Sequence, residues 1–263
     1  MSLRLALLGA GGIAGMVADA LIAGKIPGFE CIAVAGSAAG SESAGKLADQ
    51  LDAALVAPEE IKDLNVDWVL EAAGGDAVRQ HIPGIWAAGL NTVIMSMGAF
   101  ADADLWAKRK SSGARVVLPS GGIAGLDGVR SLAASGDLKS ASITTTKHPR
   151  GLRGAPYLVQ NNIELKEDEA VEVFSGSARE AVAGFPANVN VAIALSLAGL
   201  GPDETRVTVR SDPAATRNHH AIQAIGELAS IEVQITSSPN PVNPRTSFMA
   251  GAAAIAALQE IAG

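Results

Sequence analysis

The first 118 positions are built from short apolar runs that end in small or polar residues, each followed by a stretch with helical spacing. Leu3 to Leu8 is the first run. It empties into Gly9-Ala10-Gly11-Gly12-Ile13-Ala14-Gly15, and Met16 to Ala23 then reads as a helix. Phe29 to Ala35 predicts a second strand, Ser43 to Leu51 a helix, Ala53 to Val56 a short strand and Pro58 to Leu64 a short helix. Val66 to Ala73 is a strong strand ending in Gly74-Gly75, with a helix from Asp76 to Ala88. Thr92 to Ser96, the helix Asp102 to Ser112 and the strand Arg115 to Leu118 complete the series. Apolar runs of this kind suit strands covered on both faces, and strands alternating with helices fold as a doubly wound parallel sheet. Ligands of such sheets bind beyond the carboxyl ends of the strands. That expectation places Ala72 to Gly75, Ser96 to Ala99 and Ser120 to Gly125 around one crevice with the glycine-rich turn.

The turn itself carries chemistry. Its small residues are spaced G-x-G-x-x-A between a strand and a helix, the arrangement of a Rossmann-type dinucleotide site. Gly9 allows the tight turn, Gly11 lets the backbone approach a pyrophosphate, and Ala14 keeps the helix close to the strand. Free N–H groups at the helix start, around Gly12 and Ile13, then face the phosphates together with the positive end of the helix dipole. Gly9, Gly11, Gly12, Ile13 and Ala14 are therefore the candidate cofactor residues. The second strand of such folds often ends in an acidic residue for the adenosine ribose. Here Ala35-Gly36-Ser37-Ala38 stands there, and no carboxylate appears before Glu42. Ser37, Ser41 and Ser43 could bond a hydroxyl or a phosphate, or simply make turns. NAD and NADP are both expected to bind.

The pattern changes near residue 125. Ser140 to Thr146 is β-rich, and Pro149 to Pro156 is a loop. Ala178 to Ala183 and Val189 to Leu200 read as helices, while Arg206 to Arg210 and Ser230 to Ile235 alternate at strand period. The expectation is an α/β protein: a dinucleotide-binding domain over 1–124 and an α+β substrate and dimerisation domain over 125–243. The alanine-rich helix from Arg245 to Ile261, within 244–263, is expected to pack back on the first domain.

Composition narrows the function. With 48% hydrophobic and 18% charged residues in 263, the chain can bury proper cores and is no disordered segment. A net charge of −7, no basic run longer than Lys108-Arg109-Lys110 and 3% aromatic residues argue against nucleic acid as a partner. No stretch reaches the roughly 18–20 apolar residues a membrane span needs. Arg4, the apolar stretch after it and Ala18-Asp19-Ala20 mimic a signal peptide, but the glycines within that stretch fit a nucleotide turn better. Cys31 is the single cysteine, which rules out an internal disulfide and fits a reducing cytoplasm.

Four histidines are candidates for acid–base work. His81 precedes Pro83 in a predicted helix and suits a structural role. His148 sits in the cationic loop Thr146-Lys147-His148-Pro149-Arg150. That loop is either a charged surface or an anion-binding rim, with Lys147, Arg150 and Arg153 as donors for substrate carboxylates. His219 and His220 are adjacent, so on a strand they point to opposite faces and only one reaches a given cleft. Imidazole titrates near neutral pH, which makes one of them a natural general base, although an exposed loop pair is equally compatible with the residues alone. No cluster has metal-ligand spacing, and no nucleophile elbow is present. Hydride transfer to a nicotinamide suits this inventory better than hydrolysis.

Several segments are similar to those of the L-aspartate dehydrogenase family over essentially the whole chain. They are the glycine turn, Leu70-Glu71-Ala72-Ala73, Pro119 to Asp127, Gly151 to Pro156, and Gly176-Ser177-Ala178-Arg179-Glu180-Ala181. Phe185-Pro186-Ala187-Asn188-Val189-Asn190, Asp212-Pro213, Asn218-His219-His220 and Asn243 to Ser247 continue the likeness. The resemblance implies NAD- or NADP-dependent oxidation of L-aspartate to iminoaspartate, feeding NAD synthesis, by a homodimer. It implies His220 as the catalytic histidine and Ala124 and Asn190 as cofactor contacts. Two other readings stay open: a two-domain reductase of the homoserine dehydrogenase or dihydrodipicolinate reductase kind, and a non-catalytic NAD(P) sensor.

Overall fold

The computed structural model describes residues 2–36, 41–186, 189–238, 240 and 247–263. The chain divides into two compact units, residues 1–121 with 250–263, and residues 122–249.

The first unit begins with β1 (Leu3–Leu8), α1 (Gly12–Ile22), β2 (Phe29–Ala35), α2 (Glu42–Leu51), β3 (Ala54–Val56) and β4 (Trp68–Glu71). It continues with α3 (Gly75–Ala87), β5 (Asn91–Ile94), α4 (Ala103–Ser111) and β6 (Val116–Val117). The six strands are all parallel, in the order β3-β2-β1-β4-β5-β6. This is the doubly wound order whose crossover between β1 and β4 opens a ligand crevice. β4 is buried at every position, as a central parallel strand must be. Two predicted helices shift in kind or length. α1 starts at Gly12 rather than Met16, because Gly12 to Gly15 continue the helix, and Pro58–Asp63 winds as a 3-10 helix.

The second unit holds α5 (Leu126–Ser135), β7 (Leu138–Lys147), α6 (Pro156–Gln160), β8 (Val171–Ser177), α7 (Ala178–Gly184) and α8 (Asn190–Ala198). β9 (Thr205–Ser211), β10 (Asn218–Gly226) and β11 (Ser230–Ser237) follow. Its sheet is mixed, in the order β11-β10-β7-β9-β8, with β7 and β9 parallel and the other pairs antiparallel. The final helix, α9 (Phe248–Ala262), lies almost wholly in the first unit. Its Ala254, Ala257 and Leu258 join Leu5, Ala14, Val17 and Leu70 in one buried cluster. Gln259 Nε2 donates to the Lys25 carbonyl at 2.6 Å and ties the helix down. The expected start of this helix at Arg245 lies outside the described residues, as does Ser37.

α5, α6 and β8 have no counterpart in the apolar spacing. α5 packs where glycine replaces a side chain: a Cβ on Gly128 would come within 2.6 Å of Ile231 Cδ1, and one on Gly125 within 2.7 Å of Val233 Cγ2. β10 runs well past the histidine pair, so His219 and His220 open a strand rather than sit in a loop.

Candidate active site

Two constellations are built, one in each unit. In the first, β1 ends at a turn whose Gly9 has φ +111°. A Cβ there would lie 2.7 Å from Ala72 C and Ala73 N, so the β4–α3 loop sits directly against the turn. Gly11, by contrast, faces open space, and a side chain on it would fill that space. α1 has Gly11 as its N-cap, with no side-chain cap and no acidic residue in its first turn. Its opening N–H groups, among Gly12, Ile13 and Ala14, therefore have no carboxylate of their own turn to compete with a ligand, and among the described residues nothing comes within 4 Å of where a Gly11 side chain would stand, which suits a pyrophosphate. The residues present fit a dinucleotide.

Ser41 caps α2 by accepting from Ala44 N at 3.4 Å and lies 3.0 Å from Ser43 Oγ. Glu42, the first carboxylate after β2, pairs with Lys46 at 2.6 Å. Beside the turn stands a residue that apolar spacing does not flag. Glu71, the last residue of β4, is fully buried. Its Oε1 accepts from Ala73 N at 2.8 Å, Gly74 N at 2.9 Å and Ser96 Oγ at 2.8 Å, and its Oε2 from Ser96 N at 3.1 Å. Burial raises its pKa, and the surrounding donors oppose the rise. The available signal was a carboxylate closing an otherwise apolar strand.

In the second unit the pleat separates the two histidines. His220 is 4% exposed, whereas His219 is half-buried and lines a different cavity of about 480 Å³ with Thr146, Arg210, Asp212, Arg217 and Thr236. His220 stands opposite Thr145 of β7, and its Nδ1 lies 3.0 Å from the buried Thr145 Oγ1. A side chain at Gly122 would be 3.9 Å from His220 Nε2, 3.8 Å from Ser247 Oγ and 3.3 Å from Val191 Cγ1. The glycine thus leaves room in front of Nε2. Burial, then the charge of Lys147, then His219 press the His220 pKa down to about 4. Lys147 shares the Thr145 face two residues on, and burial lowers its ammonium to about 8.

The other expected residues fall as follows. Ala124 is exposed in the loop between Gly122 and α5, and Asn190 is exposed as the first residue of α8, next to Val191. Arg150 is exposed on a 3-10 turn, where its N–H donates to His148 Nδ1 at 3.2 Å. Arg153 pairs with Glu167 and lines a separate cavity with Leu158, Val159 and Ile163. Lys147 is the cation brought next to His220. Some of the most distinctive segments prove structural. Ser177 and Glu180 form a capping box on α7, Arg179 grips Asp203, and Asp212 Oδ1 accepts from Ala214 N at 2.8 Å. Phe185 packs with Tyr157 and Phe174. Asn188 and Asn243 to Thr246 lie outside the described residues.

Comparison with known proteins agrees with both halves. The family described as "Aspartate dehydrogenase, C-terminal" matches residues 127–261, and "Homoserine dehydrogenase, NAD binding domain" matches residues 9–119. An L-aspartate dehydrogenase of Methanosarcina mazei is 39% identical over 98% of this chain and 97% of its own length. One from Methanococcoides burtonii is 43% identical over 75% of this chain and 74% of its own. Among solved structures, the aspartate dehydrogenase of Thermotoga maritima superposes with a TM-score of 0.72 at 25% identity, covering 99% of this chain and 97% of that one. The chain belongs to the L-aspartate dehydrogenase family.

Proposed function

We propose that the chain oxidises L-aspartate to iminoaspartate with NAD or NADP, and that its own residues divide the work between binding and proton transfer. The observation that carries this reading is the buried, neutral His220 with its Nε2 facing the gap left by Gly122, in the unit that matches the aspartate dehydrogenase C-terminal family. The nicotinamide, when bound, supplies the hydride acceptor. Gly9, Gly11, Gly12, Ile13 and Ala14 cradle its pyrophosphate, and Ala124 and Asn190 hold the cofactor further along. Lys147 carries its charge at pH 7 and binds a substrate carboxylate, with Arg150 and Arg153 as weaker candidates because Arg153 is already paired.

Thr145 orients the imidazole at Nδ1, so that Nε2 is left to accept a proton from the substrate ammonium. One proton leaves nitrogen, a hydride leaves Cα, and the C=N bond forms. Iminoaspartate then serves NAD synthesis or takes up water to give oxaloacetate and ammonia. The proposed setting is a cytoplasmic homodimer acting on a small molecule. The buried lone Cys31 and the exposed Ile225 and Leu228 near the β10–β11 turn support that setting.

The test is cofactor reduction with L-aspartate, D-aspartate, glutamate, alanine and homoserine, each with NAD and with NADP. L-aspartate should be the one substrate turned over well, and no turnover of it with either cofactor would sink the reading. His220→Ala should lower kcat/KM by about 10²-fold or more while the fold persists, in line with the usual contribution of a general base.

A further inference from the structure

Glu71 is an ionisable side chain with no part in the chemistry above, yet it is fully buried in the nucleotide-binding unit. Burying a carboxylate costs several kcal/mol unless its oxygens are satisfied. Here they are satisfied by donors from two loops, residues 73–74 after β4 and Ser96 after β5. The main chain reinforces the same junction. Ala72 N donates to the Leu8 carbonyl at 2.8 Å, Met95 N to the Glu71 carbonyl at 3.0 Å, and Gly9 N to the Ala35 carbonyl at 2.7 Å. The loop that Glu71 holds is the one against which Gly9 packs with no room for a Cβ. Gly74, the N-cap of α3, sits at φ +123°. An apolar residue at position 71 would leave the N–H groups of Ala73 and Gly74 without this acceptor, and the loop would lose its reason to hold that shape.

We infer that Glu71 is a cofactor-positioning residue: it pins the loops after β4 and β5 into one rigid wall beside the glycine turn, so that the dinucleotide meets a preformed cradle. The inference rests on the reading of this unit as the cofactor holder, and it concerns binding rather than chemistry. The geometry makes a sharp case of Glu71→Gln. A carboxamide keeps one acceptor and gains one donor, so its NH₂ must face either Ser96 N–H or the N–H pair of Ala73 and Gly74. In either rotamer a donor meets a donor: with the amide oxygen toward Ala73 and Gly74 the Ser96 N–H bond is lost, and with the amide flipped the loop after β4 loses both of its N–H bonds.

The experiment is a fluorescence titration of purified Glu71→Gln and Ser96→Ala proteins with NADH, in the absence of substrate. For Glu71→Gln, Kd should rise by about fivefold or more, the effect of losing roughly one net hydrogen bond. The kcat at saturating cofactor and the KM for aspartate should stay within about twofold, since neither reports on the cradle once it is filled. Ser96→Ala removes one donor and keeps the backbone bond, so a rise of about twofold or more is expected. A fall in melting temperature with Kd unchanged in the folded variants would assign Glu71 to stability alone and overturn the inference. Should Glu71→Gln not fold, Ser96→Ala decides alone, a smaller rise than twofold overturning it. Wild-type turnover of L-aspartate is scored separately, because the titration uses no substrate.

Discussion

His220 is pressed to a pKa of about 4 from a usual 6.5, first by burial and then by the Lys147 charge. The unfolded chain takes up a proton near 6.5, whereas the folded chain does so only near 4. Stability from this group is therefore complete above pH 6.5 and is lost as the pH falls toward 4, by at most about 3 kcal/mol. His220→Asn should remove that slope, and urea unfolding at a series of pH values between 4 and 7 checks it. An unchanged slope would mean that the ring is not shielded as the structure has it. The same burial that costs stability at low pH keeps the imidazole neutral and able to accept a proton at pH 7. At this scale the sequence offered two adjacent histidines with no way to rank them on their own residues. Ranking them requires knowing which face of β10 is covered, and that depends on strands far away in the chain.

Elements bring the residues to their posts. The strand–turn–helix unit from Leu3 to Ile22 was legible because its apolar run, its glycines and its helical spacing are all local. Gly9→Ala tests the turn. It would force a side chain onto a residue at φ +111° and into backbone atoms 2.7 Å away, neither of which can yield cheaply. The expected result is a loss of NADH binding of at least tenfold, or loss of the folded unit, read by fluorescence titration alongside circular dichroism. Tight binding with native stability would show that β4 and its loop do not press on the turn. The elements that spacing missed share a physical cause. β8 carries Glu172 and Ser175 on exposed positions, and β10 opens on the polar, half-buried Asn218 and His219, so their strand character comes from pairing with β9, β7 and β11 rather than from their own pattern. α5 carries Gly128, a weak helix former, at a close helix–sheet contact where a Cβ would displace the tip of the Ile231 side chain.

For the whole molecule, each unit has a core of its own, and α9 returns from the chain's end to complete the first. Among the described residues, no helix is long and apolar enough to cross a membrane. A ligand that binds the folded first unit and not the unfolded chain adds about 2.7 kcal/mol at a hundred times its Kd. Scanning calorimetry with NADH at that excess should raise the melting of the nucleotide-binding unit by roughly 5–10 °C. An unmoved transition would contradict the cradle. By itself the sequence determined the alternation of strands and helices over the first half, the glycine turn with its helix start, and the family segments, because spacing and local sterics act between near neighbours. Tertiary structure alone decided that Glu71 meets Ser96, that Thr145 meets His220, and that Ala254 and Leu258 close a core begun at Leu5. Those pairings depend on strand register and on which face is covered, and both are set by contacts between residues that the chain holds far apart.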